Sequence, residues 1–360
     1  MSPVRKWDID TPALLIDFDL LEKNIDTMAR FFRGQDCELR PHVKTHKCPT
    51  IAHMQLAAGA RGITCAKLGE AEVMAQAGIK DILIANQVVG ERKIARLVGL
   101  ARYSDIIVAV DDVENVRQLS VAATAAGVTI GVLIEVEVGM NRCGVVPGPR
   151  LLEMARLIRR CGNLRFRGVM GYEGHAVFIE NESERRRVAG RSHQALLGAA
   201  SMLRKVGFEV EIVSAAGTGT YRFAATCPGI TEVQAGSYVF NDVRYHALVP
   251  EFERSLAVLC TVVSRPVPER VITDGGLKVF SSGWGPPEVK GRADLKVLRL
   301  AEEHGICQVQ GPAPDLRPGA KVEMYVSHCC TAVNLHDRYY VVRGDSVVAE
   351  WPILARGKSQ

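Results

Sequence analysis

Short runs of apolar residues alternate along this chain with longer stretches whose apolar positions recur every three or four residues. The runs are ALLIDF (13–18), LRPHVK (39–44), GITCA (62–66), ILIANQVV (82–89), IIVAV (106–110), IGVLIEVEV (130–138), FRGVMGYE (166–173), VEIVSA (210–215) and TEVQAGSYVF (231–240). Between them lie LLEKNIDTMARFFRG, LGEAEVMAQAGI, VENVRQLSVAATAAG and GPRLLEMARLIRRCG, which carry helical spacing and end near glycine. NESERRRVAGRSH (181–193) is charge-rich and reads as the exposed start of a further helix. Alternation of this kind predicts βα units and a parallel sheet. Eight or nine strands in about 240 residues fit a (β/α)8 TIM-type barrel better than the alternative, an open doubly wound sheet.

The pattern changes after about residue 245. SLAVLCTVVSRP, RVITDGGLKVF, KVEMYVSH, DRYYVVRG and SVVAEWPI read as strands between Gly, Pro and Asp turns, with little helical periodicity. The expected organisation is therefore an α/β barrel over residues 1–245, with the N-terminal segment free to join the second domain, and a mostly β domain over 246–360. The total of 360 residues suits a large barrel plus a small second domain.

Composition narrows the class. Apolar content of 47% and charged content of 24% are those of an ordinary globular protein, and the net charge of +5 is spread without a basic tail. Nothing calls for nucleic acid. No run of about 18 apolar residues exists, so no membrane span is expected. Ten irregularly spaced cysteines in a large chain without an apolar leader point to reduced thiols in a cytoplasm.

Chemistry enters at ELRPHVKTHK (38–47), where Arg40, His42, Lys44, His46 and Lys47 crowd into one stretch. LRPHVK is expected to end a strand, and Pro49 suits the first turn of the following helix. Lys44 then falls at the C-terminal end of an early barrel strand, the face that carries barrel active sites. A lysine there can form an imine with a carbonyl, and neighbouring cations would favour its neutral form. A plain surface lysine is the simpler reading. Lys47 is expected to face solvent. Two later stretches weigh on the choice. Gly217, Thr218, Gly219 and Thr220 follow one strand; Gly236, Ser237 and Tyr238 follow the next. Glycine lets backbone N–H groups approach an anion, and hydroxyls add donors, although each loop alone is an ordinary tight turn. Late-strand loops with an early lysine suggest a phosphate-bearing carbonyl cofactor, pyridoxal 5'-phosphate.

PHVKTHK, VGMNRCG (138–144), GYEGH (171–175), TEVQAGSYVF and SHCCTAVNLHD (327–337), in this order, resemble the D-threonine aldolase and D-serine dehydratase family over nearly the whole chain. The resemblance implies an alanine-racemase-like fold, a pyridoxal-phosphate barrel followed by a β domain. It implies that Lys44 is the imine-forming lysine and that Arg142 contacts the cofactor's phenolic oxygen. Tyr172 would lie beside the pyridine ring, where a neutral phenol is a weaker electron-sink partner than a carboxylate. Gly217, Thr218, Gly219, Gly236, Ser237 and Tyr238 would surround the phosphate. Read from residue type alone, Arg142 is a surface arginine and Tyr172 a core aromatic.

His328 and Cys330 are two residues apart. On a strand such a pair shares a side, and imidazole with thiolate favours zinc. By spacing alone the pair is a buried cysteine beside a surface histidine. The resemblance implies a divalent metal at this point, with zinc favoured by the donors and manganese or magnesium as alternatives. Aldolases of the family resemble His-x-Asp here and dehydratases His-x-Cys, so Cys330 leans toward the dehydratases. His175, three residues after Tyr172, is the candidate for the further acid/base. The reaction expected is aldol cleavage of a D-threonine-like D-3-hydroxy amino acid. The alternative is dehydration of D-serine or 3-hydroxyaspartate. An amino acid racemase or a non-catalytic cofactor carrier fits less well, and a homodimer is expected by resemblance.

Overall fold

The computed structural model describes residues 4–281 and 283–360; residues 1–3 and Ser282, which the two expected domains include, lie outside the described residues. The chain divides into two compact units. One comprises Met28–Lys44, Ile51–Gly236 and Lys358–Gln360; the other comprises Met1–Thr27, Thr45–Thr50 and Ser237–Gly357. The change of unit thus falls at Ser237, ahead of the expected 245.

β1 (Ala13–Asp17) opens the chain. It pairs in the second unit, the place left open for the N-terminal segment, and not in the barrel sheet. The barrel unit is a parallel sheet of eight strands: β2 (Glu38–Leu39), β3 (Ile63–Cys65), β4 (Asp81–Gln87), β5 (Asp105–Val110), β6 (Ile130–Glu135), β7 (Leu164–Gly171), β8 (Ile212–Ala215) and β9 (Glu232–Val233). Their order is β2-β9-β8-β7-β6-β5-β4-β3. A parallel bridge between His42 and Thr64 joins the two ends of that order. The Leu39 and Pro41 carbonyls accept from the Arg61 and Thr64 N–H groups. β2 is short as a regular strand, yet its pairing runs on past Pro41, since the Arg40 and His42 N–H groups donate to the Val233 and Ala235 carbonyls.

The middles of β4, β5 and β6 are continuous apolar runs because a parallel sheet is covered on both faces. Leu83, Ile107, Ala109, Leu133, Met170 and Ile212 form one buried cluster across β4 to β8. Helices Leu68–Gln76, Glu91–Leu100, Val113–Ala126, Pro149–Arg160 and Glu182–Lys205 follow successive strands. Their ends obey the sequence signals. Pro149 takes the first helical position, the Asp112 carboxylate accepts from the Glu114 and Asn115 N–H groups, and Gly127 closes its helix at a φ of 65°. Asn181 caps the charge-rich helix, whose first residues are exposed as expected.

The second unit is a mostly antiparallel sheet. Its strands are β1, β10 (Leu256–Val267), β11 (Arg270–Thr273), β12 (Glu288–Val289), β13 (Leu295–Leu300), β14 (Gly305–Val309), β15 (Lys321–Tyr325), β16 (Arg338–Arg343) and β17 (Ser346–Pro352). β10 is its spine, pairing with β1, β11 and β15. β1 also pairs parallel to β16. Ile9, Ala13, Leu15, Leu259 and Val342 pack together around this junction. The ten cysteines form no disulfide. No helix among the described residues is long and apolar enough to cross a membrane.

Candidate functional site

In the barrel unit the sequence candidates follow the C-terminal ends of β2, β6, β7 and β8. Lys44 does not end a strand, as expected, but sits half-buried in a 3-10 turn, Val43–Thr45, because β2 stops at Leu39. Its N–H donates to His42 Nδ1 at 3.4 Å. Its Nζ lies 5.8 Å from the centre of the Tyr172 ring. Arg142, in the turn after β6, places its guanidinium carbon 5.8 Å from the same ring. A Cβ at Gly217, in the turn after β8, would stand 3.2 Å from Tyr172 Cε2. The structure therefore gathers Lys44, Arg142, Tyr172 and Gly217, far apart in sequence, around one phenol.

The turn carrying Arg142 is held by carboxylates. Gly139 donates its N–H to Glu137. Burial alone would raise Glu137, but N–H groups of Asn141, Gly139, Arg142 and Met140 hold its carboxyl below the usual range. Glu135, buried at the end of β6, is raised by burial, against the Gln87 side chain that donates to it at 2.6 Å and the charge of Arg142. Arg142 Nη2 is 3.8 Å from Glu135 Oε1. His175 is exposed. A Cβ at Gly139 would meet its Cε1 at 3.2 Å, so the imidazole lies against the start of the Arg142 turn.

The 216–220 turn has a construction of its own. Ala216 sits at a φ of 67°, a region that a residue with a Cβ visits rarely. A side chain at Gly219 would come within 2.6 Å of the Val177 carbonyl oxygen, so only backbone fits there. Glu173, fully buried, accepts from Ala216 N at 3.2 Å, from Thr220 Oγ1 at 2.6 Å and from His193 Nε2 at 3.1 Å. Gly236 follows Ala235, whose carbonyl accepts from the His42 N–H.

Ser237 and Tyr238 belong to the other unit. There they open a 3-10 turn, Ser237–Val239, and Tyr238 is buried 5.5 Å from the Phe252 ring. In the same unit His328 and Cys330 were expected on a strand. That is corrected: β15 ends at Tyr325, and Cys329–Val333 is a helix with His328 as its extended cap residue. The alternation argument for a shared side therefore does not apply. What the structure shows is an unusual histidine. The His328 ring stacks on Trp284 at 3.5 Å between centroids, 8° from parallel. Its buried Nδ1 has no hydrogen-bond partner among the described residues. Cys330 Sγ is 3.4 Å from Thr45 Oγ1. Between the pair, buried Cys329 donates its N–H and its thiol to Asp242 Oδ2 at 3.0 and 3.2 Å. Burial pushes Asp242 up to about 6, against the N–H bonds from Cys329 and Tyr245. Lys47, expected in solvent, is buried at a φ of 52°.

Comparison with known proteins bears on these groups. Residues 16–243 match the family model described as the alanine racemase N-terminal domain, and residues 255–342 match the "Putative serine dehydratase domain". A D-threonine aldolase of Arthrobacter sp is 41% identical over 358 residues, which is 98% of this chain and 94% of that one. The chain belongs to the D-threonine aldolase family, with its alanine-racemase-like fold. Within that family, the D-threonine aldolase structure from Filomicrobium marinum superposes with a TM-score of 0.95 at 38% identity, covering 99% of this chain and 98% of that one. A D-threo-3-hydroxyaspartate dehydratase of Delftia sp. is 32% identical over 310 residues, 84% of this chain and 79% of that one. Family membership thus spans aldolases and a dehydratase.

Sequence reasoning did not single out Glu173, Glu135, Asp242 or Trp284. Glu135 had a signal, a carboxylate inside the apolar run IGVLIEVEV. Glu173 stood within a quoted motif, yet a glutamate at a strand end normally reads as solvated. Nothing in SSGWGPP marks Trp284 as a stacking partner.

Proposed function

We propose that this chain is a pyridoxal 5'-phosphate- and divalent-metal-dependent lyase that cleaves D-threonine and related D-3-hydroxy amino acids to glycine and an aldehyde. The observation that carries the reading is the convergence of Lys44, Arg142 and Gly217 on Tyr172. Such a cluster suits a planar, phosphorylated carbonyl compound. Lys44 offers the amine that holds it, Tyr172 an aromatic group beside it, and Arg142 a cation for its phenolic oxygen. The turn at Gly217, Thr218 and Gly219, bare of side chains at its two glycines, supports a phosphate site, since backbone N–H groups can approach an anion there. Gly236, after β9 of the same unit, is proposed to add to it.

The β unit supports a metal. An orphaned buried imidazole nitrogen at His328 and a thiol two residues on form a donor set that favours zinc over manganese or magnesium. When bound, the cofactor draws electrons from the substrate's α-carbon, and the metal acts as a Lewis acid on its 3-hydroxyl. The protein's own task is to place a base. For aldol cleavage a base must take the 3-hydroxyl proton while the Cα–Cβ bond stands perpendicular to the cofactor plane. His175, exposed against the Arg142 turn, is the residue we assign to it. For dehydration Lys44 would instead take the α-proton.

Dehydration of D-serine or 3-hydroxyaspartate is the second reading. Cys330 in the family's dehydratase-type position favours it, as does the match of residues 255–342. Product analysis separates the two. Glycine with acetaldehyde from D-threonine supports the aldolase, and 2-oxobutanoate with ammonia supports the dehydratase.

A further inference from the structure

Glu173 has no part in the chemistry above, yet it is the most completely bound carboxylate near the cluster. Its exposure is 0%. Tyr172 and Glu173 are consecutive after β7, and between them they touch both ends of one turn. The Tyr172 ring lies against Gly217. The Glu173 carboxylate takes the Ala216 N–H on one oxygen, and the Thr220 hydroxyl and His193 Nε2 on the other. Thr220 Oγ1 in turn accepts from the Gly217 N–H at 3.4 Å.

Ala216 needs such a restraint. A left-handed φ on alanine is strained and persists only where surrounding bonds over-determine it. The bond from Ala216 N to Glu173 is one of those restraints. A buried anion behind the turn also has a use. It engages Ala216 N and the Thr220 hydroxyl, the two ends of the turn that carries residues 217–219. Helix Glu182–Lys205 anchors the whole through His193.

We propose that Glu173 is a positioning residue for the cofactor's phosphate: its carboxylate locks the Ala216–Thr220 turn in the one conformation whose backbone accepts that anion. This rests on the pyridoxal phosphate reading above. It adds that a buried carboxylate, touching neither cofactor nor substrate, sets selectivity for the phosphorylated form.

The test is a titration of cofactor-free full-length protein with pyridoxal 5'-phosphate and, separately, with pyridoxal, which lacks the phosphate. Binding is followed by the visible absorbance of the lysine-bound carbonyl. Wild-type protein should bind the phosphorylated form far more tightly. In Glu173→Gln, which replaces one acceptor oxygen with a donor, Kd for pyridoxal phosphate should rise about tenfold or more. Kd for pyridoxal should stay within about twofold of wild type, because only the phosphate contact is affected. Thr220→Val, which removes one hydroxyl donor and leaves the carboxylate, should move the same ratio the same way by less. It decides the matter if Glu173→Gln does not fold. Equal loss of both ligands, or no change in either, would overturn the assignment while leaving the cofactor reading intact. Wild-type protein that bound neither form would overturn both.

Discussion

Lys44 was singled out by its surroundings in sequence, which did not show its local structure. A basic stretch before a proline and a helix suggested the end of a strand; β2 ends at Leu39 and the lysine lies in a 3-10 turn. The turn still follows the C-terminal end of β2, and the role proposed for Lys44 rests on that position. Lys44→Ala should abolish the visible absorbance of cofactor-loaded protein and leave its far-ultraviolet circular dichroism unchanged; retained absorbance would sink the assignment. At the proposed metal pair, the strand argument was wrong, since Cys329–Val333 is a helix. His328→Ala or Cys330→Ala should weaken zinc retention by roughly 10–100-fold or more, the scale that even a ligand's outer partners command. Zinc per chain after dialysis against a chelator measures this. Unchanged retention in both would remove the site. Glu173, Asp242 and Trp284 were not readable, because their importance comes from partners dozens of residues away.

Among elements, the strands and helices of the barrel followed from periodicity, while pairing did not. The run ALLIDF announces a strand, yet nothing local says that β1 joins β10 and β16 instead of the barrel sheet. HCCTAV lacks a helix signal, and five residues are too few to show a period. Caps were better marked. Asp112→Ala should cost about 1 kcal/mol by unbonding the first N–H groups of helix Val113–Ala126. Denaturant unfolding would measure it. In the β unit, Glu323 on β15 is nearly buried, 2.5 Å from Lys6 Nζ and 2.8 Å from Lys290 Nζ. Burial alone would raise it, but the two ammonium groups hold its carboxyl below the usual range. A carboxyl lowered on folding adds stability above its unfolded pKa, and that stability is lost as pH falls through the folded value. Glu323→Gln should therefore lower stability by about 1–3 kcal/mol at pH 7. The gap from wild type should close below about pH 4. A gap constant down to pH 3 would show that the charge has no such role.

At the scale of the molecule, the two-part architecture was visible where βα alternation gave way to strands and turns near residue 245. The structure moves the change to Ser237 and assigns the N-terminal 27 residues to the β unit. Chain order alone conceals such a return. We also propose that the protein is a homodimer, on its family resemblance; light scattering that gave only the mass of one 360-residue chain would remove this. The aldolase and dehydratase readings share the cofactor and metal residues and differ in which bond breaks and in whether His175 or Lys44 is the base. The decisive measurement is product analysis with protein loaded with pyridoxal phosphate and zinc and given D-threonine. Glycine and acetaldehyde in equal amounts are predicted. 2-Oxobutanoate and ammonia would contradict the aldolase reading and make Cys330 the better guide to the reaction.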